Sequence, residues 1–166
     1  MVGAVAAENR RAPQARERIL DSAYELFSRR GIRDVGIDEV VEHAGVAKAT
    51  LYRHFPSKDD LAVAFLERRD EVWTQQFFVA QLQRRGRTAE ERLLAVFDVF
   101  DEWFRRDDFE ACSFIKVLLE MGSTHPAGAA SVRHLGNIRV VLRSLAEEAN
   151  LHEVDSFAHS FQILMK

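Results

Sequence analysis

Residues 44–61 read AGVAKATLYRHFPSKDDL, and this stretch decides how the whole chain is interpreted. It carries basic and aromatic side chains within a short apolar pattern, and no acidic residue occurs between Glu42 and Asp59. The whole chain, by contrast, has a formal net charge of −3. A segment without acidic residues in an acidic chain indicates a surface that contacts a negatively charged partner. The position of the charges therefore matters more than their sum.

The composition suits a soluble protein with one compact domain or two small ones. The chain has 166 residues, of which 47% are hydrophobic and 30% are charged, enough to bury a core and cover it with a polar surface. Residues 1–58 hold ten Lys or Arg and eight Asp or Glu, whereas residues 59–166 hold thirteen and eighteen. The N-terminal part is therefore the more basic one.

The sequence predicts a cytoplasmic protein without a membrane partner. Cys112 is the single cysteine, so the chain cannot close an internal disulfide, which fits a reducing compartment. No apolar run approaches the ~18 residues that a membrane-spanning helix needs. The N-terminus starts weakly apolar and then turns charged at Glu8, an order that argues against a secretory signal. Residues 1–12 are expected to form a disordered, mobile arm.

Apolar residues recur at helical spacing almost throughout, and no alternating strand pattern is present, so the sequence predicts an all-α fold. Ser57 is a suitable N-cap, and Thr88 and Glu91 have the spacing of a capping box. The predicted helices cover roughly residues 13–30, 37–44, 47–55, 58–83, 88–106, 109–121 and 126–149, with a last one from about 154.

The helix pattern divides the chain into a unit of short helices at 13–57 and a helical unit of longer helices at 58–166, joined by a long fourth helix. The amphipathic pattern of the last helix is still in progress at Lys166. We therefore expect that residues follow Lys166, and that the 166-residue chain dimerises less well than a longer one.

Residues 37–55 have the pattern of a helix, a glycine-containing turn and a second helix, an arrangement that places the second helix in the DNA major groove. Lys and Arg side chains neutralise phosphates or donate to guanine, and Thr and Tyr hydroxyls reach phosphates. Lys58 starts the next helix, where backbone N–H groups also favour a phosphate. The candidate DNA-contacting residues are Lys48, Ala49, Thr50, Tyr52, Arg53, His54 and Lys58.

The run from Ala44 to Lys58, together with the pattern of residues 19–31, resembles the DNA-binding motif of the TetR family of bacterial transcriptional regulators. This resemblance implies a helix-turn-helix domain followed by a helical ligand and dimer domain, with Tyr52 and His54 as phosphate contacts. The family often has Thr or Ser in place of Gly36, and Ser in place of Ala47, so two helix caps are weaker here.

The second half of the chain is rich in aromatic residues, and most of them must form ordinary core. The resemblance implies that some line a small-molecule cavity, and apolar cavities with few polar groups suit such ligands. The candidate ligand-binding residues are Trp73, Phe77, Phe100, Trp103, Phe104, Phe114 and Met121. The same resemblance implies a dimer interface in the last helices, with Phe157, Phe161 and Leu164 as candidate dimerisation residues.

The sequence contains no catalytic constellation, no pattern of zinc ligands and no glycine-rich phosphate loop, so we expect neither an enzyme nor a cofactor or metal. The resulting hypothesis is a homodimeric repressor that leaves a palindromic operator on double-stranded DNA when a small apolar effector binds. Two alternatives stay open: the basic residues form an ordinary solvated face, or the chain is a helical small-molecule-binding or interaction protein without DNA binding.

Overall fold

The computed structural model describes the backbone of residues 2–107, 109 and 111–165, and their side chains from residue 14 onward. Within these ranges the fold is all-α and contains no strand, as the sequence predicts. The helices are α1 (Val2–Arg30), α2 (Ile37–Ala44), α3 (Lys48–His54), α4 (Lys58–Arg69), a π-helical segment (Asp70–Val79), α5 (Ala80–Arg85), α6 (Ala89–Phe104), α7 (Ser113–Met121), α8 (Pro126–Glu148) and α9 (Val154–Leu164).

The first helix begins earlier than predicted. The sequence places its start at Pro13 and an arm before it, whereas the backbone is helical from Val2. Alanine, the strongest helix former, recurs in this segment and accounts for the longer helix. The mobility of residues 1–12 in solution stays a prediction.

The N-terminal core forms where α1, α2, α3 and the start of α4 meet. Ile19, Val40 and Leu51 are fully buried there, one from each of the first three helices. Phe27 of α1 packs edge-on against Phe65 of α4, with ring centroids 5.7 Å apart. The beginning of α4 thus belongs to the same core as the helix-turn-helix, and it fixes the orientation of α2 and α3.

The turn between α2 and α3 depends on Gly45, which has φ 60° and ψ 44°. This left-handed conformation costs most other residues a steric penalty, so glycine suits the position. The amide of Gly45 donates to the carbonyl of Glu42, and that of Val46 to the carbonyl of Val41. The turn therefore closes α2 through its own backbone and sets the angle at which α3 leaves.

The predicted long fourth helix is continuous from Lys58 to Arg85, but its middle is π-helical. Ser57 caps its start by accepting a hydrogen bond from the amide of Asp60, at 3.1 Å. The π-helical segment, Asp70–Val79, carries Trp73. Such segments are rare and frequently occur at functional sites. The sequence pattern gave no sign of this change in winding.

The remaining helices, α6 to α9, pack with the long helix into the helical domain. The predicted capping box at Thr88 and Glu91 is present at the start of α6. Helix α7 begins at Ser113 and not near Phe109 as predicted. Phe109 instead packs edge-on against Trp103, with centroids 5.0 Å apart, and this contact holds Phe109 outside the helix. No helix in the described part of the chain is long and apolar enough to cross a membrane.

Candidate nucleic-acid interface and helical-domain cavity

Helix α3 buries one side and exposes the other. Leu51 is fully buried, whereas Tyr52 is 42% exposed and Arg53 is open to solvent. Arg53 makes no ion pair or hydrogen bond with any other described residue. Ala49 is also exposed, and Thr50 is half-buried. This face combines a cation, a phenol and a small residue that lets the helix backbone approach a partner closely.

Lys48, the first residue of α3, is already paired within the chain. Its Nζ lies 2.7 Å from the Oδ1 of Asp38 on α2. The hydrogen bond to the Asp38 carboxylate raises the pKa of Lys48 above its ordinary value. Sequence reasoning missed this pair because the two residues are ten positions apart and meet only when the turn folds. A DNA phosphate would have to compete with Asp38 for Lys48.

His54, predicted as a phosphate contact, ends α3 in a half-buried position. Its Nε2 atom is buried and has no hydrogen-bond partner among the described residues. This position favours a packing role for His54 at the junction between helices over a phosphate contact. Lys58 lies half-buried at the first position of α4 and forms no ion pair within the described part of the chain. It remains available to an anion at that helix N-terminus.

The two short helices lack side-chain caps. Gly36 precedes α2 and Ala47 precedes α3, both with extended backbone and neither with a capping hydrogen bond. The helices are held by burial of Val40 and Leu51 instead. The capping weakness expected from the sequence is thus present at both positions.

The helical domain encloses a small inner cavity and a larger outer one. The inner cavity measures about 20 Å³, enough for about one water molecule. The outer cavity measures about 630 Å³ and opens between α1 and the π-helical segment. Arg69, Trp73 and Trp103 line both cavities and therefore form the wall between them.

The predicted ligand-binding residues do not all meet in one place. Four of them line the inner cavity, and Phe77 lines the outer one. Phe104 instead borders a surface groove between α6 and α9. Met121 ends α7, packs against the core and lines none of these three cavities. The four residues at the inner cavity are Trp73, Phe100, Trp103 and Phe114.

Sequence reasoning missed the polar residues of the inner cavity, because a search for aromatic residues cannot find them. Arg69, Ser113 and Gln162 contribute to its lining. The Nη1 of Arg69 donates to the hydroxyl of Tyr24 at 2.7 Å. Arg69 follows a run of ordinary helix-surface charges in the sequence, so nothing there distinguishes it.

A second polar group lies buried beside this cavity. The Oδ2 of Asp70 accepts a hydrogen bond from the Nδ2 of Asn137 at 2.9 Å, and lies 3.2 Å from the Nδ1 of His134. The His134 ring stacks on Phe114, with centroids 5.3 Å apart. These contacts join the start of the π-helical segment to α8. Among the described residues, no three His, Cys, Asp or Glu side chains come together as a metal site.

Helix α7 connects the cavity to the helix-turn-helix. Its Lys116 donates to the carbonyl of Ser28 near the end of α1, at 2.8 Å. Its Glu120 accepts hydrogen bonds from the backbone amides of Ile32 and Arg33, at 3.1 and 2.5 Å. The same helix begins at the inner cavity with Ser113. A displacement of α7 would therefore change both the cavity and the contacts with the end of α1.

The predicted dimerisation residues differ in exposure. Leu164 is 78% exposed, and Phe157 is half-buried. Phe161 is only 6% exposed because its ring packs against Phe97 and Phe100 of α6. Phe161 therefore contributes to the core of this chain, and the partner contact that the family resemblance implies for it stays a prediction.

Comparison with known proteins identifies the class. A model of the bacterial regulatory proteins of the tetR family matches residues 19–65. A TetR-type regulator of Streptomyces avermitilis has a solved structure with a TM-score of 0.79 and 30% identity, covering 91% of this chain and 81% of that one. A TetR-family regulator of Streptomyces coelicolor gives 0.79 at 28% identity, covering 92% and 80%. The chain belongs to the TetR family, as the sequence predicts.

Curated relatives match over part of the chain. An uncharacterized HTH-type transcriptional regulator of Mycobacterium tuberculosis is 42% identical over 59 residues, which are 36% of this chain and 29% of the relative. The HTH-type transcriptional activator FasR of Mycolicibacterium smegmatis is 34% identical over 94 residues, 57% of this chain and 42% of that protein. The matches span less than half the length of these relatives.

Proposed function

We propose that the chain is a dimeric transcriptional regulator that binds a palindromic operator through α3 and leaves it when a small apolar effector binds the helical domain. The observation that carries the proposal is the exposed face of α3, with Tyr52 and Arg53 held outward by the buried Leu51. Side chains of these types, on the second helix of a helix-turn-helix, suit the major groove.

Dimerisation is part of the proposal because one recognition helix reads only half of a palindrome. Large apolar side chains on the outer surfaces of the last two helices support it. Val132 and Val140 of α8 and Ile163 and Leu164 of α9 are all at least 49% exposed. Paired across a two-fold axis, such surfaces would set the spacing of the two α3 helices.

The contacts of α7 support the proposed response to the effector. Lys116 and Glu120 hold the end of α1, while the first turn of α7 borders the inner cavity. An effector that enlarges the cavity displaces α7 and binds best to a dimer in which the spacing no longer matches the operator. The effector then shifts the population towards that state by its difference in affinity.

The first experiment is a pull-down of genomic fragments with the protein, followed by sequencing of what it retains. We expect a palindrome near a small number of promoters. Absence of enrichment at low salt would refute operator binding. Expression of the neighbouring gene, measured with and without the regulator gene, then distinguishes repression from activation.

Salt titration of the recovered operator tests how the protein holds DNA. The logarithm of the affinity should fall with the logarithm of salt concentration, with a slope of about −0.9 per neutralised phosphate. Lys58→Ala should weaken binding across sequences and flatten this slope. Arg84→Ala, which removes an exposed cation near the far end of the long helix, is the matched control and should leave the slope unchanged.

A helical small-molecule-binding protein without DNA binding is the second candidate. The ion pair between Lys48 and Asp38 favours it, because it places a carboxylate beside the recognition helix, where phosphates would be repelled. The missing side-chain caps at Gly36 and Ala47 also favour this second candidate. Under this alternative the protein would retain no fragment, and its affinity for DNA would not depend on Lys58.

A further inference from the structure

We propose that the effector is an amphipathic anion, with a carboxylate or similar head held by Arg69, Trp73 and Ser113 and an apolar body among the surrounding aromatic rings. This inference rests on the proposed function, since it names the chemical class of that effector. It is carried by polar groups that line the inner cavity and lack the partners that such groups normally have.

Arg69 is the first of these groups. Its guanidinium has five N–H donors, and the hydrogen bond recorded for it goes to the neutral hydroxyl of Tyr24, at 2.7 Å. The guanidinium also lies over the Tyr24 ring, 5.5 Å from its centroid. No carboxylate of the described residues lies within ion-pair distance of Arg69. By contrast, its neighbour Arg68 pairs with two carboxylates, those of Glu17 and Asp21.

Two further polar groups in the lining of the inner cavity have unused hydrogen-bonding capacity. The indole Nε1 of Trp73 and the hydroxyl of Ser113 are both buried, and neither has a hydrogen-bond partner among the described residues. Ser113 is only 4% exposed. Buried polar groups are usually satisfied. Nine buried side-chain atoms of the described residues have no hydrogen-bond partner, and only these two belong to residues that line the inner cavity, where a ligand could supply the partner. An indole N–H can only donate, which means that the missing group contains an acceptor.

Two features of the lining favour an anionic acceptor over a neutral one, whereas the buried carboxylate of Asp70, held beside the cavity by Asn137, opposes it. Ser113 starts α7, and the first turn of this helix contains no acidic side chain that would compensate the positive end of the helix dipole. A carboxylate accepts two N–H bonds from an arginine at once, which a neutral carbonyl oxygen matches poorly.

The rest of the lining defines the body of the effector. Phe100, Trp103 and Phe114 supply aromatic walls, and Leu135 and Ile138 of α8 supply aliphatic ones. The inner cavity is too small for such a body without movement. Arg69, Trp73 and Trp103 separate it from the outer cavity of about 630 Å³, so displacement of these side chains would join the two spaces.

The test uses a matched pair of probes, 6-phenylhexanoate and 6-phenylhexanol, which share a skeleton and differ in the charge of the head. Trp73 and Trp103 are the two tryptophans of the chain and both line the cavities, so quenching of intrinsic fluorescence reports binding directly. We expect the carboxylate to bind tenfold or more tightly than the alcohol. Equal affinities, or no saturable change with either probe, would overturn the proposal.

Variants locate the head group. Arg69→Met should bring the ratio of the two affinities close to one while changing the affinity for the alcohol by less than about threefold. Arg84→Met removes the same charge from the same long helix, away from the cavities, and should leave the ratio unchanged. Ser113→Ala and Trp73→Phe should each lower the ratio several-fold. If Arg69→Met does not fold, these two variants decide, and an unchanged ratio in both overturns the proposal.

The assay contains no DNA, so its failure can be told apart from failure of the proposed function. Equal binding of the two probes by a protein that retains an operator would reject the anionic effector and leave the regulator intact. Preference for the carboxylate in a protein that retains no DNA would support the effector class and favour a binding protein instead.

Discussion

The helix-turn-helix and the helical domain place their candidate functional residues in opposite environments. On α3 most of these residues are exposed to solvent, above the buried Leu51: Lys48, Ala49, Tyr52 and Arg53. In the helical domain, Trp73 and Phe114 point inward and share their surroundings with ordinary core. A surface that binds a rigid partner can be recognised from residue types and spacing alone. A cavity cannot, because core and cavity wall use the same apolar side chains.

The comparison also shows where each region derives its stability. The short helices α2 and α3 lack side-chain caps and depend on burial against α1. The helical domain depends on close contact between longer helices, most tightly where α7 turns into α8. Substitutions can therefore affect one region with little effect on the other, and the expected effects below run from the largest to the smallest.

Gly128→Ala should have the largest effect, at the tight contact of the helical domain. A methyl group there would lie 1.8 Å from the carbonyl oxygen of Gly122, so the backbone of the turn must shift. We expect a loss of about 3 kcal/mol in the free energy of unfolding, measured by urea denaturation. Gly136→Ala, in the same helix with open space around it, is the control and should stabilise by up to about 1 kcal/mol. Equal urea midpoints for the two variants would contradict this close packing.

Arg53→Ala tests the exposed face of α3. Its loss should weaken binding to the operator by about 1–3 kcal/mol and relax preference at one base pair, as measured by fluorescence anisotropy on a set of mutated operators. Arg53→Lys keeps the charge but loses the paired donors. If Arg53 contacts only phosphate, the lysine variant will bind nearly as well as the original protein, and base reading by this residue is rejected.

Glu120→Gln tests the contact that joins the two regions. The carboxylate accepts from the amides of Ile32 and Arg33, and the amide side chain can accept at only one of its two positions. We expect a local loss of about 1.5 kcal/mol, seen as roughly tenfold faster hydrogen exchange at these two amides. Glu67→Gln, an exposed residue of α4, serves as the control. Unchanged exchange in Glu120→Gln would show that this contact does not hold the end of α1.

Ala47→Ser should have the smallest effect, and it should strengthen the weaker region. The backbone of Ala47 is already extended, with φ −75° and ψ 146°, so a serine hydroxyl can cap α3 without rearrangement. We expect a gain of about 1 kcal/mol in thermal unfolding. Gly36→Ser, which has open space around it, should gain only a few tenths, because glycine already caps better than alanine. A larger gain from Gly36→Ser than from Ala47→Ser would contradict the expectation that Ala47 is the weaker of the two helix caps.

Much of the fold follows from local sequence signals. The apolar spacing predicts the all-α class, and Gly45, Ser57 and the pair Thr88 and Glu91 predict helix ends that the structure confirms. These signals succeed because capping and left-handed turns depend on neighbouring residues. The start of α7 was predicted wrongly because the position of Phe109 depends on a contact with Trp103, which is not a local interaction.

The sequence by itself determined the helix-turn-helix, the exposed basic face of α3 and the family to which the chain belongs, because each depends on residues that lie close together in the sequence. Only the tertiary structure decided that Lys48 is paired with Asp38, that Phe161 is core, and that Arg69 and Ser113 share a cavity. The physical reason is that pairing, burial and enclosure arise between helices distant in the chain. Their geometry exists only once those helices have packed.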